Sequence, residues 1–364
     1  MKISLAYYIS IILILLCSLH LKGIVKNKLI YHYLIVNNQN LQIKMGIKGL
    51  SKFLKEHIPT SITTKKLSDL SGLVIAIDTN YFMYKYTIST DDYIKKFASQ
   101  YSHLISNGIM PVYVFDGKPP CEKQKVIDKR KVNNKKKNIE VTNNKIRKLK
   151  DYFYQNNISY LDCDSEADFI CSRLCNEGFI HGCISDDMDF LTLGCKNLYR
   201  NYVQYSDQIT EYNLDEILAV FTKDGLIDIS IFLGCDYCDR VYDFVNRSEI
   251  INVYELFLEY RTLEKVWNYL YTNNKFLFVD TEKELIIQEK WTKAREILRN
   301  TDNFDFNKIK TKFNKVLDYM SSNIIKELEF KFTPCKKTSK LITGNTVKNT
   351  TPKTVNMFTV LSID

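Results

Sequence analysis

Ile180-His181-Gly182-Cys183-Ile184-Ser185-Asp186-Asp187-Met188-Asp189 is a short apolar run that stops in three carboxylates. A β-prone segment bounded by acids reads as a buried strand delivering charge at its carboxyl end, where open α/β sheets place their ligand crevices. Two other stretches repeat the design. Leu73-Val74-Ile75-Ala76-Ile77 runs into Asp78, and Pro111-Val112-Tyr113-Val114-Phe115 runs into Asp116-Gly117. Near-continuous apolar strands separated by helix-length sequence imply an α/β fold, a parallel sheet covered by helices on both faces. The terminal acids then converge along one edge of that sheet.

Carboxylates gathered in one crevice repel, by about 4 kcal/mol per pair at roughly 4 Å and an effective dielectric of about 20. Taken singly, each Asp is well explained as a helix cap or turn residue, positions that Asp prefers anyway. Three acidic strand ends together point instead to hard divalent cations with oxygen ligands. Mg²⁺ or Mn²⁺ suits such a site better than zinc, since the chain holds only five histidines.

The 364 residues, 45% hydrophobic and 26% charged, have the composition of a soluble chain with core enough for one large or two modest domains. Lys and Arg number 51 against 42 Asp and Glu, a net charge of +9 that makes an anionic partner plausible. The distribution is more telling. Residues 118–150 carry 13 Lys or Arg against Glu122, Asp128 and Glu140, a local balance of +10 that outweighs the whole chain's excess. By itself such a run is a solvated helix face or a basic loop. It begins two residues after Asp116, however, at the rim of the acidic crevice, and a basic arch over an acidic, metal-filled site suits a phosphodiester substrate. The segment has no aromatic residue and no core of its own, so it is expected to be mobile without ligand.

Ten cysteines are scattered without the spacing of a disulfide framework, which favours a reducing compartment. Cys235 and Cys238 form a lone C-x-x-C with no second pair at zinc spacing, and neither a zinc site nor thioredoxin-like chemistry is expected there.

Residues 1–44 are unlike the rest. Residues 7–17 form an apolar run after Lys2, formally similar to a signal peptide or short anchor but short for a bilayer span. Translation is expected to begin at Met45, with the upstream part a mis-annotated extension or dispensable leader. Residues 81–105 read as amphipathic helix with a break at 89–92 and a C-cap at Asn107-Gly108. Residues 158–161 read as a fourth strand. Ser165-Glu166-Ala167-Asp168 reads as a capping box with Ser165 at the N-cap and Asp168 at N3, and Gly178 closes the helix. Residues 198–205 read as a further strand, 213–221 and 226–233 as helices, and 249–332 as helical and aromatic-rich. Residues 333–364 have little apolar content and are expected to be disordered.

Met45-Gly46-Ile47-Lys48-Gly49-Leu50, residues 111–120, Ser165-Glu166-Ala167-Asp168, Asp187-Met188-Asp189 and Leu233-Gly234-Cys235-Asp236-Tyr237 resemble, in order, the motifs of the flap endonuclease family of structure-specific 5′ nucleases. The resemblance implies a PIN-like parallel sheet, a helical arch over the active site and a helical C-terminal part. It divides the chain into an extension (1–44), a nuclease domain (45–240, with the arch at 118–150), a helical region with a degenerate DNA-binding helix-two-turn-helix (241–332) and a tail (333–364). It also implies seven metal-site carboxylates: Asp78, Asp116, Glu166, Asp168, Asp187, Asp189 and Asp236. Two Mg²⁺ ions, for which Mn²⁺ can substitute, would activate a water and stabilise the leaving 3′ oxygen, with Asp78, Asp187 and Asp236 central to the chemistry. Lys123 and Arg130 match two basic residues that reach the scissile phosphate. Their spacing of seven is two helical turns, so both can point one way. Tyr84 matches an aromatic that stacks on a base near the cut, although a helical aromatic more often packs in a core. Gly46, beside the metal site, and Lys135, Lys136 and Lys137 complete the expected DNA contacts.

The implied activity is a metal-dependent 5′ flap endonuclease and 5′-to-3′ exonuclease on branched DNA in replication or repair. Alternatives are a related exonuclease that resects nicks or gaps and a catalytically silent junction binder. A monomer with no membrane association, in the nucleus or at a viral replication site, is expected. The family's glycine-rich helix-two-turn-helix should follow Asp236, yet residues 240–247 hold no glycine; the stretch between Tyr84 and Pro111 is also shorter. Thr354-Val355-Asn356-Met357-Phe358 faintly matches a sliding-clamp motif, without its glutamine or second aromatic, which makes a sliding clamp a candidate partner.

Overall fold

The computed structural model describes residues 46–89, 92–136, 141–241, 252–273, 281–300 and 304–332. The leader, the stretch 242–251 where the helix-two-turn-helix was expected, and the clamp-like motif lie outside the described residues.

A seven-stranded sheet carries the fold, in the order β1-β7-β6-β5-β2-β3-β4. Its parallel centre consists of β6 (Asn197–Arg200), β5 (Gly182–Ile184), β2 (Val74–Asp78), β3 (Met110–Phe115) and β4 (Tyr160–Asp162). Pairing of Ile77 with Tyr113 and of Asp78 with Val114 brings the acidic ends of β2 and β3 side by side. Side chains alternate between the faces as the strand period of two requires. Ala76, Val112, Val114 and Cys183 enter one core, while Ile75, Ile77, Tyr113, Phe115 and Ile184 enter the other. Each strand is therefore apolar on both sides, and this is why the strands read as continuous hydrophobic runs.

The second core is closed by α2 (Thr79–Ser89), α3 (Tyr93–Ser106) and, beyond the arch helix α4 (Gln124–Lys136), by α5 (Asn143–Gln155). The first is closed by α1 (Leu50–His57), α6 (Ala167–Asn176), α7 (Asp189–Leu193), α8 (Leu214–Leu218) and α9 (Lys223–Leu233). It continues into α10 (Val253–Tyr260), α11 (Leu263–Thr272), α12 (Thr281–Arg299) and α13 (Phe306–Phe332), of which the part through Ser321 belongs to the main compact unit. Arg295 of α12 is the pin of this layer: it pairs with buried Asp228 of α9 at 2.8 Å and with Glu264 of α11 at 2.5 Å. Asp228 also accepts the Leu263 amide, so one carboxylate fixes two helices.

Four local expectations are corrected. Two further strands, β1 (Ile62–Lys66) and β7 (Gln208–Asn213), extend the sheet antiparallel at one edge. Both are edge or near-edge strands with solvent-facing residues, so neither shows an apolar run. Strand β6 stops at Arg200 rather than near Tyr205, because Asn201 (φ 59°) turns the chain. No capping box forms at Ser165: α6 begins at Ala167 with Glu166 at its N-cap, and Asp116 of the β3 end supplies the cap by accepting the Ala167 amide at 2.8 Å. The basic segment is also not one arch. Residues 121–136 are helical, but residues 143–150 already belong to α5, whose Leu149 is fully buried in the second core. Phe153 and Tyr152, one turn further on, supply the apolar anchor that the basic residues alone lack.

Candidate active site

The carboxyl ends of the parallel strands deliver the acids. Asp78 closes β2, Asp116 follows β3, and Asp187 and Asp189 follow β5, with Asp189 opening α7. Glu166 and Asp168 lie at the N-terminus of α6, and Asp236 follows the Gly234 cap of α9. A helix N-terminus favours negative charge, which makes the first turns of α6 and α7 suitable places for three of the acids.

Polar groups hold the carboxylates in fixed orientations. Asp78 accepts the Tyr81 amide at 3.0 Å and the Ser185 hydroxyl at 2.7 Å. Asp116 accepts the Ala167 amide and the Asn80 side chain. Asp187 accepts the Asp189 amide at 2.9 Å. Tyr237 donates its hydroxyl to Glu166 Oε2 at 3.0 Å. Asn80, Ser185 and Tyr237 were not assigned roles from sequence. Tyr237 adjoins Asp236 and Ser185 stands two residues before Asp187, but nearness in sequence does not reveal which oxygen they face.

The two arch cations lie among these acids. Lys123 Nζ is 2.6 Å from Glu166 Oε1 and 3.2 Å from Asp236 Oδ2, while Arg130 donates to Asp236 Oδ1 at 2.6 Å. The expected two-turn spacing is modified, since Lys123 ends a short 3₁₀ turn (Cys121–Lys123) and only Arg130 is in α4. Both nevertheless reach the same acid. Tyr84 is half-buried on α2 and close enough to Arg130 and Asp116 for their charges to act on its hydroxyl, whereas Tyr81 and Tyr86 on the same helix are core residues. Lys135 and Lys136 lie at the end of α4, and Lys137 is outside the described residues. Gly46 (φ 71°) stands against the site: a Cβ there would press into the Asp187 carboxylate and meet the Met188 nitrogen at 2.9 Å.

Burial and mutual repulsion dominate the electrostatics. Burial, followed by the charge of Asp116, pushes Asp78 up to about 7. Burial raises Asp168 and Asp189 well above the ordinary carboxylate range, with Asp187 and Asp236 adding to the effect on Asp189. Asp187 and Glu166 are raised too, Glu166 in spite of Lys123. Burial alone would lower Lys123, but Asp168, Asp236 and Glu166 hold it well above the usual lysine range. Asp186 behaves differently. Burial opposes its ionisation, yet Lys85 and the hydroxyl of Tyr81 hold it below the usual range, and it accepts the Asn201 amide at 2.7 Å. Asp186 is committed to the fold, and Asp187 next to it to the crevice.

The donor set fits hard cations. It consists of carboxylates, and Asp189 Oδ1 is buried without a hydrogen-bond partner, an atom whose desolvation calls for a positive charge. The acids do not form a ready cage among the described residues; Lys123 lies between Glu166 and Asp236. Cys235 and Cys238 are free thiols joined by a backbone bridge.

The chain is similar to known nucleases in sequence and in fold. Residues 45–137 match the XPG N-terminal domain and residues 157–236 the XPG I-region. Flap endonuclease 1 of Entamoeba histolytica is 30% identical over 316 residues, covering 75% of this chain and 80% of that protein. Flap endonuclease 1 of Candida glabrata is 28% identical over 313 residues, covering 74% and 79%. The fold is similar to the catalytic core of Rad2, solved in complex with a DNA substrate, with a TM-score of 0.54 at 21% identity over 71% of this chain and 82% of that one.

Proposed function

The chain belongs to the flap endonuclease family of nucleases, and from that membership we propose that it cuts branched DNA at 5′ flaps, with an associated 5′-to-3′ exonuclease activity. The observation that carries this reading is the meeting of Lys123 and Arg130 on one carboxylate, Asp236 at the end of α9, with Lys123 also held by Glu166. A phosphodiester needs both charges: cations for the phosphate, and acids for the metal that works on it.

Asp78, Asp116, Glu166, Asp168, Asp187, Asp189 and Asp236 would hold divalent cations, two Mg²⁺ in this reading, which supply an activated water and neutralise the charge of the departing 3′ oxygen. Lys123 and Arg130 bind and orient the scissile phosphate. A phosphate offers them an anionic partner of the same kind as the carboxylates that they engage in the protein alone. Arg130 presents a planar fork suited to two phosphate oxygens, whereas Lys123 acts as a point charge. Tyr84, on the helix facing Arg130, offers its ring to a base beside the cut. Lys135, Lys136 and Lys137 would supply further cations for phosphates of the DNA strand. Gly46, packed against Asp187 too closely for any side chain, keeps the backbone beside that carboxylate. The enzyme acts as a monomer inside the cell, in the nucleus or at a viral replication site.

Cleavage of a labelled 5′-flap substrate, a nicked duplex and a gapped duplex in Mg²⁺ and in EDTA tests the reading. Incision at the flap base in Mg²⁺ is expected. Removal of single nucleotides from the nick, with no flap incision, would assign the chain to a resecting exonuclease instead.

A further inference from the structure

Tyr237 is a neutral side chain that touches both an acid and a cation of the site. Its hydroxyl donates to Glu166 Oε2 at 3.0 Å. The other oxygen of that carboxylate, Oε1, accepts Lys123 Nζ at 2.6 Å, and the same ammonium stands 5.7 Å from the centre of the Tyr237 ring. Glu166 is thus held from two sides, by a charge that belongs to the arch and by a phenol that belongs to the body of the fold. The phenol is firmly seated. Tyr237 follows Asp236 directly, its ring leans on Phe169 of α6 at 6.4 Å, and its backbone lies within the bridge between Cys235 and Cys238. A phenol facing a carboxylate oxygen at this distance donates to it.

We propose that Tyr237 is a positioning residue that keeps Glu166 in its ligating orientation while Lys123 moves between that carboxylate and the substrate phosphate. The need arises from the dual use of Lys123. When the ammonium turns to a phosphate, Glu166 loses the donor on Oε1, and a buried carboxylate with one oxygen unsatisfied would be free to rotate toward another donor. The Tyr237 hydroxyl keeps Oε2 satisfied through the exchange and leaves Oε1 to a cation. The face of the ring gives the ammonium a second attractive surface along its path, of the kind worth most when desolvated. Hydrogen bonds to metal-ligating carboxylates from outside the ligand set typically change metal affinity by roughly 10- to 100-fold.

The inference rests on the proposed nuclease reading only for the destination of Lys123; the hold on Glu166 can be measured without DNA. The test uses the full chain and its Tyr237→Phe and Tyr237→Leu variants. Mn²⁺ binding is followed by calorimetry and by the electron paramagnetic resonance of free Mn²⁺. Tyr237→Phe should weaken Mn²⁺ binding by about tenfold, within the range for such outer hydrogen bonds. The same substitution in a Glu166→Gln background should add little, because the partner oxygen is already changed. In single-turnover flap cleavage, Tyr237→Phe should raise the half-saturating Mg²⁺ concentration more than it lowers the saturated rate. Tyr237→Leu, which removes the ring as well, should also lower that saturated rate. Wild-type Mn²⁺ affinity in Tyr237→Phe, or an equal loss in the presence and absence of Glu166, would overturn the proposal. Failure of the wild type to cut flaps would reject the nuclease reading and leave the metal-binding result to be judged by itself.

Discussion

Lys123 and Arg130 grip opposite oxygens of Asp236, Lys123 at 3.2 Å from Oδ2 and Arg130 at 2.6 Å from Oδ1. One acid at the end of α9 thereby holds the base of the arch against the body of the protein. Lys123→Met should lower the stability of the metal-free protein by about 3–5 kcal/mol at pH 8, the usual cost of leaving a buried ion pair half-made. Mg²⁺ should restore much of the loss by supplying charge to Glu166 and Asp236. Thermal melts in EDTA and in Mg²⁺ check this, and an unchanged melting temperature in EDTA would contradict it.

Arg130→Ala should reduce single-turnover flap cleavage by roughly 10²- to 10³-fold, because a positioned cation acts most where charge develops in the transition state. Flap affinity should fall much less. Affinity and rate declining together would make Arg130 an ordinary phosphate ligand.

Adjacent acids should separate cleanly. Asp187→Ala should nearly abolish cleavage yet retain flap binding in Ca²⁺, since loss of a ligand disturbs the transition state more than substrate affinity. Asp186→Ala removes the partner of Lys85 and of the Tyr81 hydroxyl and should mainly lower the melting temperature. Comparable cleavage defects in both variants would refute the division.

The raised carboxylates set the pH dependence of the metal-free protein. Asp78 at about 7 in the fold, against 3.8 as the ordinary value, contributes stability that is complete below pH 3.8 and lost as pH rises through 7. In EDTA the melting temperature should therefore fall between pH 5 and pH 8, and Mg²⁺ should raise it more at pH 8, where the acids are ionised. A flat profile would show that the acids do not repel as their burial indicates.

Gly117, between the β3 end and the basic segment, occupies a confined place. Its amide donates to Ser165 O at 2.7 Å, and a Cβ would press into the backbone of Cys163 and Asp164. Gly117→Ala should cost about 1–3 kcal/mol, as overpacking does, and shift Lys123 away from Glu166. Denaturant melts read the first effect and flap cleavage the second; wild-type behaviour in both would mean that the strand yields.

Neutralising Lys135, Lys136 and Lys137 together should weaken flap binding and reduce its salt dependence, by a slope of up to roughly 0.9 for each phosphate that is no longer neutralised. Binding titrations from low to moderate salt check this, and an unchanged slope would remove these lysines from the DNA path.

The centre of the sheet and the source of its acids were legible in the residues alone. Strands β2, β3 and β5 are buried on both faces, so their sequences are apolar throughout, and a carboxylate that ends such a run has few destinations other than the sheet edge. The same reasoning fails at β1 and β7. They lie at one margin of the sheet, where solvent accepts polar side chains and the apolar signal disappears. Local reading also chose the wrong cap for α6, since Ser165 was in the right place in sequence while Asp116 was in the right place in space.

By itself, then, the order of residues determined that Asp78, Asp116 and Asp187 would end buried strands, because strand burial is a property of nearby residues, while Glu166, Asp168, Asp236 and the two cations were expected only from the family resemblance. Only the tertiary structure decided how they meet. Asp236 receives both Lys123 and Arg130, Tyr237 takes the second oxygen of Glu166, and Asp186 turns away from Asp187 to Tyr81 and Lys85. These pairings join residues far apart in the chain, and their strength depends on burial and on the direction of each lone pair, neither of which a linear pattern contains.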